Sequence, residues 1–479
     1  VRYDEIPAWS AAVAKWGAEY HESLRDRPVR SQVQPGAIAA QIADQPPEHG
    51  EPMQKIFDDF QRIIPDGMTH WQHPRFLAYF PSNAAPASII AEQLVCTMAA
   101  QCMLWQTSPA ATELEVAMVD WFRQAVGLPD GFAGVIQDTA TTTTLSAVLT
   151  MREKALNWQG LQSGLSGMPT LRIYASDQNH SSIDKAVRLA GIGQNNLVKI
   201  PTDSTWSMQP DLLKRSIAQD RREGFLPAGV IGCVGGTSIG ACDRLRDVLS
   251  IAREEQLYSH VDAAWAGSAM ICPELRSLWS GIEQADSIVI NPHKWLGANF
   301  DCSLQFLKEP KCQIRTLAIR PHYLETLESP QATNFSEWTI PLGRRFRALK
   351  LWFLFRAYGL EGLRERIRNH IRWARQAADQ LASYPHFQIT TRPVLSLFTF
   401  RWSPPGMDAN QATQRLLERI NADGRVYLTQ TTHEGQFVIR FSVGQFDARQ
   451  ADIEMSVNVI HETAASLQEE LAAPWANEQ

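Results

Sequence analysis

A lysine follows an apolar run in Ser287-Ile288-Val289-Ile290-Asn291-Pro292-His293-Lys294-Trp295. The run reads as a buried strand, so Lys294 stands at its mouth, where an amine can be desolvated and condense with an aldehyde. A lysine in such a place is more often only a solvated strand end. A second segment, Tyr258-Ser259-His260-Val261-Asp262-Ala263-Ala264-Trp265-Ala266-Gly267, moves the balance: it reads as a short strand ending in an acid, followed by small residues suited to the floor of a flat ring. Asp262 and Lys294 lie 294 − 262 = 32 positions apart, about one strand, crossover and strand of an α/β unit. Both side chains are then expected at one edge of a parallel sheet. A carboxylate facing a pyridine nitrogen keeps it protonated and makes the ring an electron sink, so this pair points to pyridoxal 5'-phosphate (PLP). The plainer role for Asp262 is to cap the next helix.

Other segments fall at the same sheet edge. Gln137-Asp138-Thr139-Ala140-Thr141-Thr142-Thr143-Thr144 precedes the helical run Leu145, Val148, Leu149, so hydroxyls and N–H groups converge on a helix N-terminus suited to phosphate. Four β-branched threonines are expected ahead of that helix rather than within it, and a simple Ser/Thr cap is the alternative. In Ser176-Asp177-Gln178-Asn179-His180-Ser181-Ser182, His180 is placed to stack on a ring, although a lone histidine is more often a surface or core residue. Thr237, in Gly235-Gly236-Thr237-Ser238, can reach a ring oxygen or substrate carboxylate, or belong to a bare turn. The chain has no GxxxxGK[ST] and no convincing GxGxxG, which argues against nucleotide binding. His70 and His73 lack a third ligand nearby, so no metal site is expected.

These residues need a scaffold, and 479 residues that are 44% hydrophobic suffice for two or three domains. Residues 1–84 read as amphipathic helices, including 38–42 and 53–64, joined by Pro-rich turns; unable to close a core alone, they are expected to pack on something else. Residues 85–365 alternate strand and helix patterns, the signature of an α/β domain with a mainly parallel sheet covered on both faces. Strands are expected at 171–175, 230–234, 260–261 and 288–290, and Asp243 as the N-cap of a helix carrying Leu245, Val248, Leu249 and Ala252. Residues 366–479 open with a long helix and continue with alternating segments at 395–402, 425–429 and 437–443, hence a smaller α+β domain.

A net charge of −6 gives no basic stripe for nucleic acid or anionic lipid. Arg364-Glu365-Arg366-Ile367-Arg368 reads as a solvated helix face. Seven dispersed cysteines without a CxxC pair fit a reducing compartment. With no signal-like N-terminus and no long apolar span, the expectation is a soluble cytoplasmic protein.

Further motifs run in order along nearly the whole chain: Thr69-His70-Trp71, Ala78-Tyr79-Phe80-Pro81, Ser108-Pro109-Ala110-Ala111-Thr112-Glu113-Leu114-Glu115, His260 to Ser268, Asn291 to Leu296, Asn299-Phe300-Asp301-Cys302-Ser303 and Ile340-Pro341-Leu342-Gly343-Arg344-Arg345-Phe346. With them the chain resembles the group II PLP-dependent amino-acid decarboxylases, in particular the aromatic-L-amino-acid decarboxylases. The resemblance implies fold type I, the architecture of aspartate aminotransferase with a mainly parallel seven-stranded sheet, and an intertwined homodimer that shares its active sites and is embraced by the N-terminal segment. It implies Lys294 as the cofactor-bearing lysine, Asp262 on the pyridine nitrogen, His180 stacked on the ring, and Ala140, Thr141 and Asn291 around the phosphate, with His293 and Thr237 completing the surroundings. Tyr323 matches the tyrosine that protonates the substrate carbon after carbon dioxide leaves, and 324–338 is expected to act as a mobile lid. Without the resemblance Tyr323 is an ordinary loop tyrosine.

For the substrate, the resemblance places Trp71, Tyr79, Phe80, Pro81, Ser82, Gln101, Met103 and Gly343 around an aromatic side chain. Gly343 leaves space where some phenol-selective plant members carry serine, which permits an indole. Two departures stand out: Gln101-Cys102-Met103 replaces more apolar or aromatic groups, and Asp138 to Thr142 replaces a commoner Gly-Ser-Ala-Ser-Glu. A buried Gln101 would require a partner, either a polar ring substituent on the substrate or a group of the protein or water. The activity expected is decarboxylation of an aromatic L-amino acid. Its alternatives are an aldehyde synthase of the same family, a decarboxylase of a non-aromatic amino acid, and a PLP-binding protein without turnover.

Overall fold

The computed structural model describes residues 1–319 and 332–472, except for the side chains of 471 and 472. Contacts divide the chain into two compact units, Ser82–His370 and Val1–Pro81 together with the residues from Ile371 onward.

The first unit is built on seven strands: β1 Ala133–Gln137, β2 Leu171–Ser176, β3 Leu197–Ile200, β4 Leu226–Cys233, β5 Tyr258–Asp262, β6 Ser287–Ile290 and β7 Ser303–Leu307. Their order across the sheet is β1-β7-β6-β5-β4-β2-β3. Neighbours from β6 to β3 pair in parallel, while β7 runs antiparallel to both β1 and β6. The mainly parallel sheet expected from the sequence is therefore present, with one reversed strand.

Residue alternation assigns the helices to faces. Ile173 and Ile231 pack with Val148, Met151 and Ala186 from the helices Ala140–Ala155 and Ser181–Leu189. Their neighbours Tyr174 and Val230 pack with Leu213 and Val248 from Pro210–Arg222 and Leu245–Glu254. Covering on both faces explains why β5 and β6 are buried along their whole length and why Ile288-Val289-Ile290 of β6 reads as an unbroken apolar run. Full burial of each such aliphatic side chain contributes about 1.5–3 kcal/mol before entropy is counted.

Two local expectations change. Asp243 is not a helix cap: the helix starts at Leu245, and the Asp243 carboxylate accepts the N–H of Met208 at 2.7 Å and of Cys233 at 2.8 Å. It ties a loop to the end of β4, a use of an acid that sequence cannot separate from capping. Threonines 141–144 lie inside the helix, whose N-cap is Thr139. Thr143 Oγ1 donates to the Thr139 carbonyl at 3.1 Å, so back-bonding accommodates a β-branched residue in the first turn.

The other unit carries the antiparallel sheet β10-β11-β9-β8, with β8 Phe387–Val394, β9 Leu397–Trp402, β10 Thr429–His433 and β11 Gln436–Ser442. Phe398, Phe400, Trp402 and Phe441 pack there with Leu416 and Ile453 of the helices Ala409–Asp423 and Gln450–Ala472. The expected strand at 425–429 begins only at Thr429; Val426 and Leu428 are buried loop residues. Helix Met53–Ile63 forms as expected, but 38–42 makes only the 3-10 turn Ala39–Gln41. Part of the N-terminal segment is tied into this unit, Arg25 donating to Asp452 at 3.0 Å and Phe76 bridging to Tyr427, whereas helix Ile6–Ser23 has no buried residue. Among the described residues no helix is long and apolar enough to cross a membrane.

Candidate active site

Parallel register sets Cys233 beside Asp262 and Asp262 beside Val289, so the C-terminal ends of β4, β5 and β6 lie side by side. Three side chains meet at this edge. Lys294 sits in the turn after β6, and burial pushes its pKa down, while Asp262 and Cys233 oppose the shift. Burial also lowers the pKa of His180, with Asp262 opposing and Lys294 adding to the effect. Asp262 thus acts on both Lys294 and His180, and Lys294 on His180; Asp262 and Lys294 come to one sheet edge, as their spacing led us to expect. Asp262 is itself buried and oriented by the Ala264 N–H, 3.0 Å from its Oδ1.

The lysine's backbone is clamped. Asn83 donates from Nδ2 to the Lys294 carbonyl at 2.7 Å and from its N–H to the His293 carbonyl at 3.0 Å. Trp295 stacks on Trp265 with centroids 5.0 Å apart and donates from Nε1 to His370 at 2.9 Å. The Cys302 N–H donates to His293 Nδ1 at 2.9 Å, which places the ring proton on Nε2. Burial holds this imidazole neutral, with a pKa of about 3.

Next to β1, the helix Ala140–Ala155 presents its N-terminus. Thr139 Oγ1 accepts the Thr142 N–H at 3.4 Å, and the N–H groups of Ala140 and Thr141 have no protein acceptor among the described residues. Asn291 Oδ1 accepts the Ser303 hydroxyl at 2.7 Å, leaving its amide NH2 to donate. Thr237 is half-buried in a turn closed by Gly235 and Gly236 N–H bonds to the Ala241 carbonyl, at 2.9 and 2.8 Å. Gly235 has φ +81°, and a β carbon there would lie 2.5 Å from that of Ala266, so the turn admits no side chain at this position.

A desolvated amine, a carboxylate within its electrostatic reach, a neutral imidazole and a helix N-terminus with two uncommitted N–H groups suit PLP's aldehyde, pyridine nitrogen, ring and phosphate respectively. His70 and His73 serve elsewhere: His70 Nδ1 pairs with the Tyr20 hydroxyl at 2.9 Å, and His73 Nδ1 accepts the Arg75 N–H at 3.0 Å.

The residues expected around a substrate divide between the two units. In one, Trp71 and Tyr79 are 39% and 43% exposed with rings 5.9 Å apart, and Phe80 is buried under the Arg440 guanidinium, 5.5 Å above its ring. Pro81 is buried against Gly444. In the other, Ser82 and Met103 are half-buried, and Gln101 is exposed, not buried as expected. Its Oε1 accepts the Arg344 N–H at 2.6 Å, so the protein supplies the partner. Tyr323 lies outside the described residues, as do positions 324–331 of the expected lid.

Sequence reading passed over Asn83 and did not single out Ser303 as the partner of Asn291. Asn83 acts from far along the chain on a backbone carbonyl, which leaves no local pattern.

The model of the pyridoxal-dependent decarboxylase conserved domain matches residues 35–403. Tyrosine decarboxylase 2 of Arabidopsis thaliana is 40% identical over 444 residues, covering 89% of this chain and 81% of that protein. A phenylacetaldehyde synthase of the same plant is 36% identical over 463 residues, covering 94% of each. The crystal structure of Oryza sativa TDC with PLP and tryptamine superposes with a TM-score of 0.94 at 32% identity, covering 98% of this chain and 99% of that one. A family match over most of the chain, falling on the strand-end site just described, makes this chain a member of the pyridoxal-dependent decarboxylase family and a PLP-dependent carboxy-lyase.

Proposed function

We propose that the chain converts an aromatic L-amino acid of the tryptophan, tyrosine, phenylalanine or DOPA type into its amine and carbon dioxide. The observation that carries this reading is the meeting of Lys294, Asp262 and His180 at one sheet edge. The tyrosine decarboxylase and the tryptamine-bound structure among its relatives support the aromatic substrate.

PLP, when bound, supplies an aldehyde for the amine and a ring that takes up the electron pair released with carbon dioxide. The amine of Lys294, its pKa depressed by burial, is more readily available unprotonated to hold the cofactor and to yield to the substrate amine. The Asp262 carboxylate would hold a proton on the pyridine nitrogen of the bound cofactor. Ala140 and Thr141 offer backbone N–H groups to the phosphate, joined by Asn291 Nδ2 and His293 Nε2, with Thr237 at the edge of the site. His180 would lie against the bound ring, and Tyr323 would return a proton to the substrate carbon. Trp71, Tyr79, Phe80, Pro81, Ser82, Gln101, Met103 and Gly343 are assigned to the substrate side chain.

A second reading is oxidative: an aldehyde synthase consumes dioxygen and water with the amino acid and gives aldehyde, carbon dioxide, ammonia and hydrogen peroxide, and the phenylacetaldehyde synthase relative keeps it in view. Carbon dioxide release from the PLP-loaded enzyme, measured across tryptophan, tyrosine, phenylalanine, DOPA and glutamate with amine and peroxide quantified, separates these outcomes. Amine from an aromatic substrate without stoichiometric peroxide is expected; peroxide matching carbon dioxide would select the aldehyde synthase, and turnover of glutamate alone would select a non-aromatic decarboxylase.

The working form is proposed to be a cytoplasmic homodimer that shares its active sites. Ile90, Leu94 and Met98 form an exposed stripe at helical spacing, 56%, 44% and 54% accessible, of the kind a second copy covers. All seven cysteines are unpaired, in keeping with a reducing compartment. Sedimentation should give a dimer, and Leu94→Glu should shift it toward monomer; a monomeric wild-type chain with full activity would refute the shared site.

A further inference from the structure

His180 does something unusual for an imidazole: it caps a helix. It is the N-cap residue of Ser181–Leu189, and its Nδ1 accepts the backbone N–H of Ser182 at 3.1 Å. The Ser182 hydroxyl lies 2.8 Å from the same nitrogen. A backbone N–H can only donate, so Nδ1 carries no proton and the neutral ring must carry it on Nε2. The hydroxyl, free to rotate, donates to the same lone pair. Protonating Nδ1 would set an N–H against the helix's own N–H, at the positive end of the helix dipole.

We propose that Ser182 is a positioning residue whose hydroxyl, beside the backbone N–H that sets the tautomer, holds His180 neutral, so that the imidazole brings one directed Nε2–H and no charge to the site. This rests on the reading of His180 as a member of the PLP site. The importance of neutrality follows from its neighbours. The charged groups that act on His180 are Asp184 on its own helix, Asp262 at the end of β5 and Lys294 after β6. An imidazolium there would pair with Asp262 and weaken its hold on the pyridinium proton, and it would add a second positive charge beside Lys294. Nε2 has no partner among the described residues, which leaves its N–H for the cofactor side, the substrate or the returning proton. Buried Ser182, whose hydroxyl pairs with His180 Nδ1, acts on the site through His180.

The test is nitrogen NMR of ring-labelled histidine in the full-length chain, with and without PLP, using His180→Gln to assign the signal. Wild type should give a protonated Nε2 and an unprotonated Nδ1, titrating below the ordinary histidine range. Ser182→Ala, which keeps the backbone N–H and so the tautomer, should raise the His180 pKa by about half a unit or more and move the acid limb of kcat upward in pH by a similar amount. Ser182→Thr, which keeps the hydroxyl, should restore both. A proton on Nδ1 in wild type would overturn the proposal, as would an Ala variant whose His180 pKa is unchanged. The NMR readout in the cofactor-free chain separates this failure from that of the decarboxylase reading, which would show as absence of carbon dioxide release from the wild type.

Discussion

A β carbon added to Gly343 would lie 3.1 Å from Nε2 of Gln101, whose Oε1 is held by the Arg344 N–H at 2.6 Å. The space expected beside Gly343 is thus bounded by this chain's own amide. Gly343→Ala should push Gln101 aside and weaken that hydrogen bond, at about 1 kcal/mol in stability. In Gln101→Ala the same glycine change should cost much less, giving a coupling of about 0.5 kcal/mol or more in a double-mutant cycle read by urea denaturation. Additive effects would mean that the two side chains do not contend for the same volume.

Lys294→Ala removes the buried amine. Full-length protein should still fold and bind PLP more weakly, but the long-wavelength absorbance of lysine-bound cofactor should vanish and turnover should fall by at least about a thousandfold. A variant that kept both the band and the rate would sink the assignment of Lys294.

Four buried histidines make stability depend on acid. Burial, the largest cause for each, pushes His73, His293 and His370 down to about 3 and His260 to about 4, from an ordinary value of 6.5. Below pH 6.5 the unfolded chain gains protons that the folded chain refuses, so this stability is complete above pH 6.5 and is lost as pH falls toward 3. Each ring adds a slope of about 1.4 kcal/mol per pH unit inside its window. Urea midpoints measured from pH 7.5 to 5 should fall steeply below pH 6.5; a flat profile would show that these rings charge in the folded state.

Asp243 offers a test away from the catalytic groups. Its two carboxylate oxygens accept the Met208 and Cys233 N–H groups, and burial still raises its pKa to about 6. Asp243→Ala leaves two buried donors without an acceptor, so unfolding free energy should drop by about 2–5 kcal/mol. Because Cys233 pairs in register with Asp262, PLP affinity should fall as well. An unchanged midpoint in urea would reduce the carboxylate to a bystander.

The sequence carried the parts of this site whose physics is local. β6 was readable because both faces are covered, so Ile288, Val289 and Ile290 follow one another without a polar residue, whereas β5, with buried Ser259 and His260, was legible from its terminal acid and the small residues after it. β7 was not: its central Gln305 is buried yet polar, satisfied by Gln137 at 2.6 Å and Gln313 at 2.8 Å, partners remote in sequence or on another element. β3 was missed because it is a four-residue edge strand with Lys199 exposed. Gln101 was misplaced because polarity in an apolar context reads as a buried group with a special partner, while the Arg344 N–H that satisfies it comes from 243 positions away. Tyr323 rests on family likeness alone.

The one reversed strand has a consequence for how the lysine works. β6 ends at Ile290 and β7 begins at Ser303, paired through Ile290 and Leu304, so the chain leaves and re-enters the sheet at the same edge. Lys294 therefore sits in a closed hairpin, staked at one end by β6 and at the other by Cys302 and Ser303, with Asn83 gripping its middle. The main chain beneath the amine is a fixed pivot. Whatever travel the amine makes between cofactor and product has to come from rotation about its own four methylenes, and the reach of that arm sets how far the lysine can step aside while a substrate takes its place.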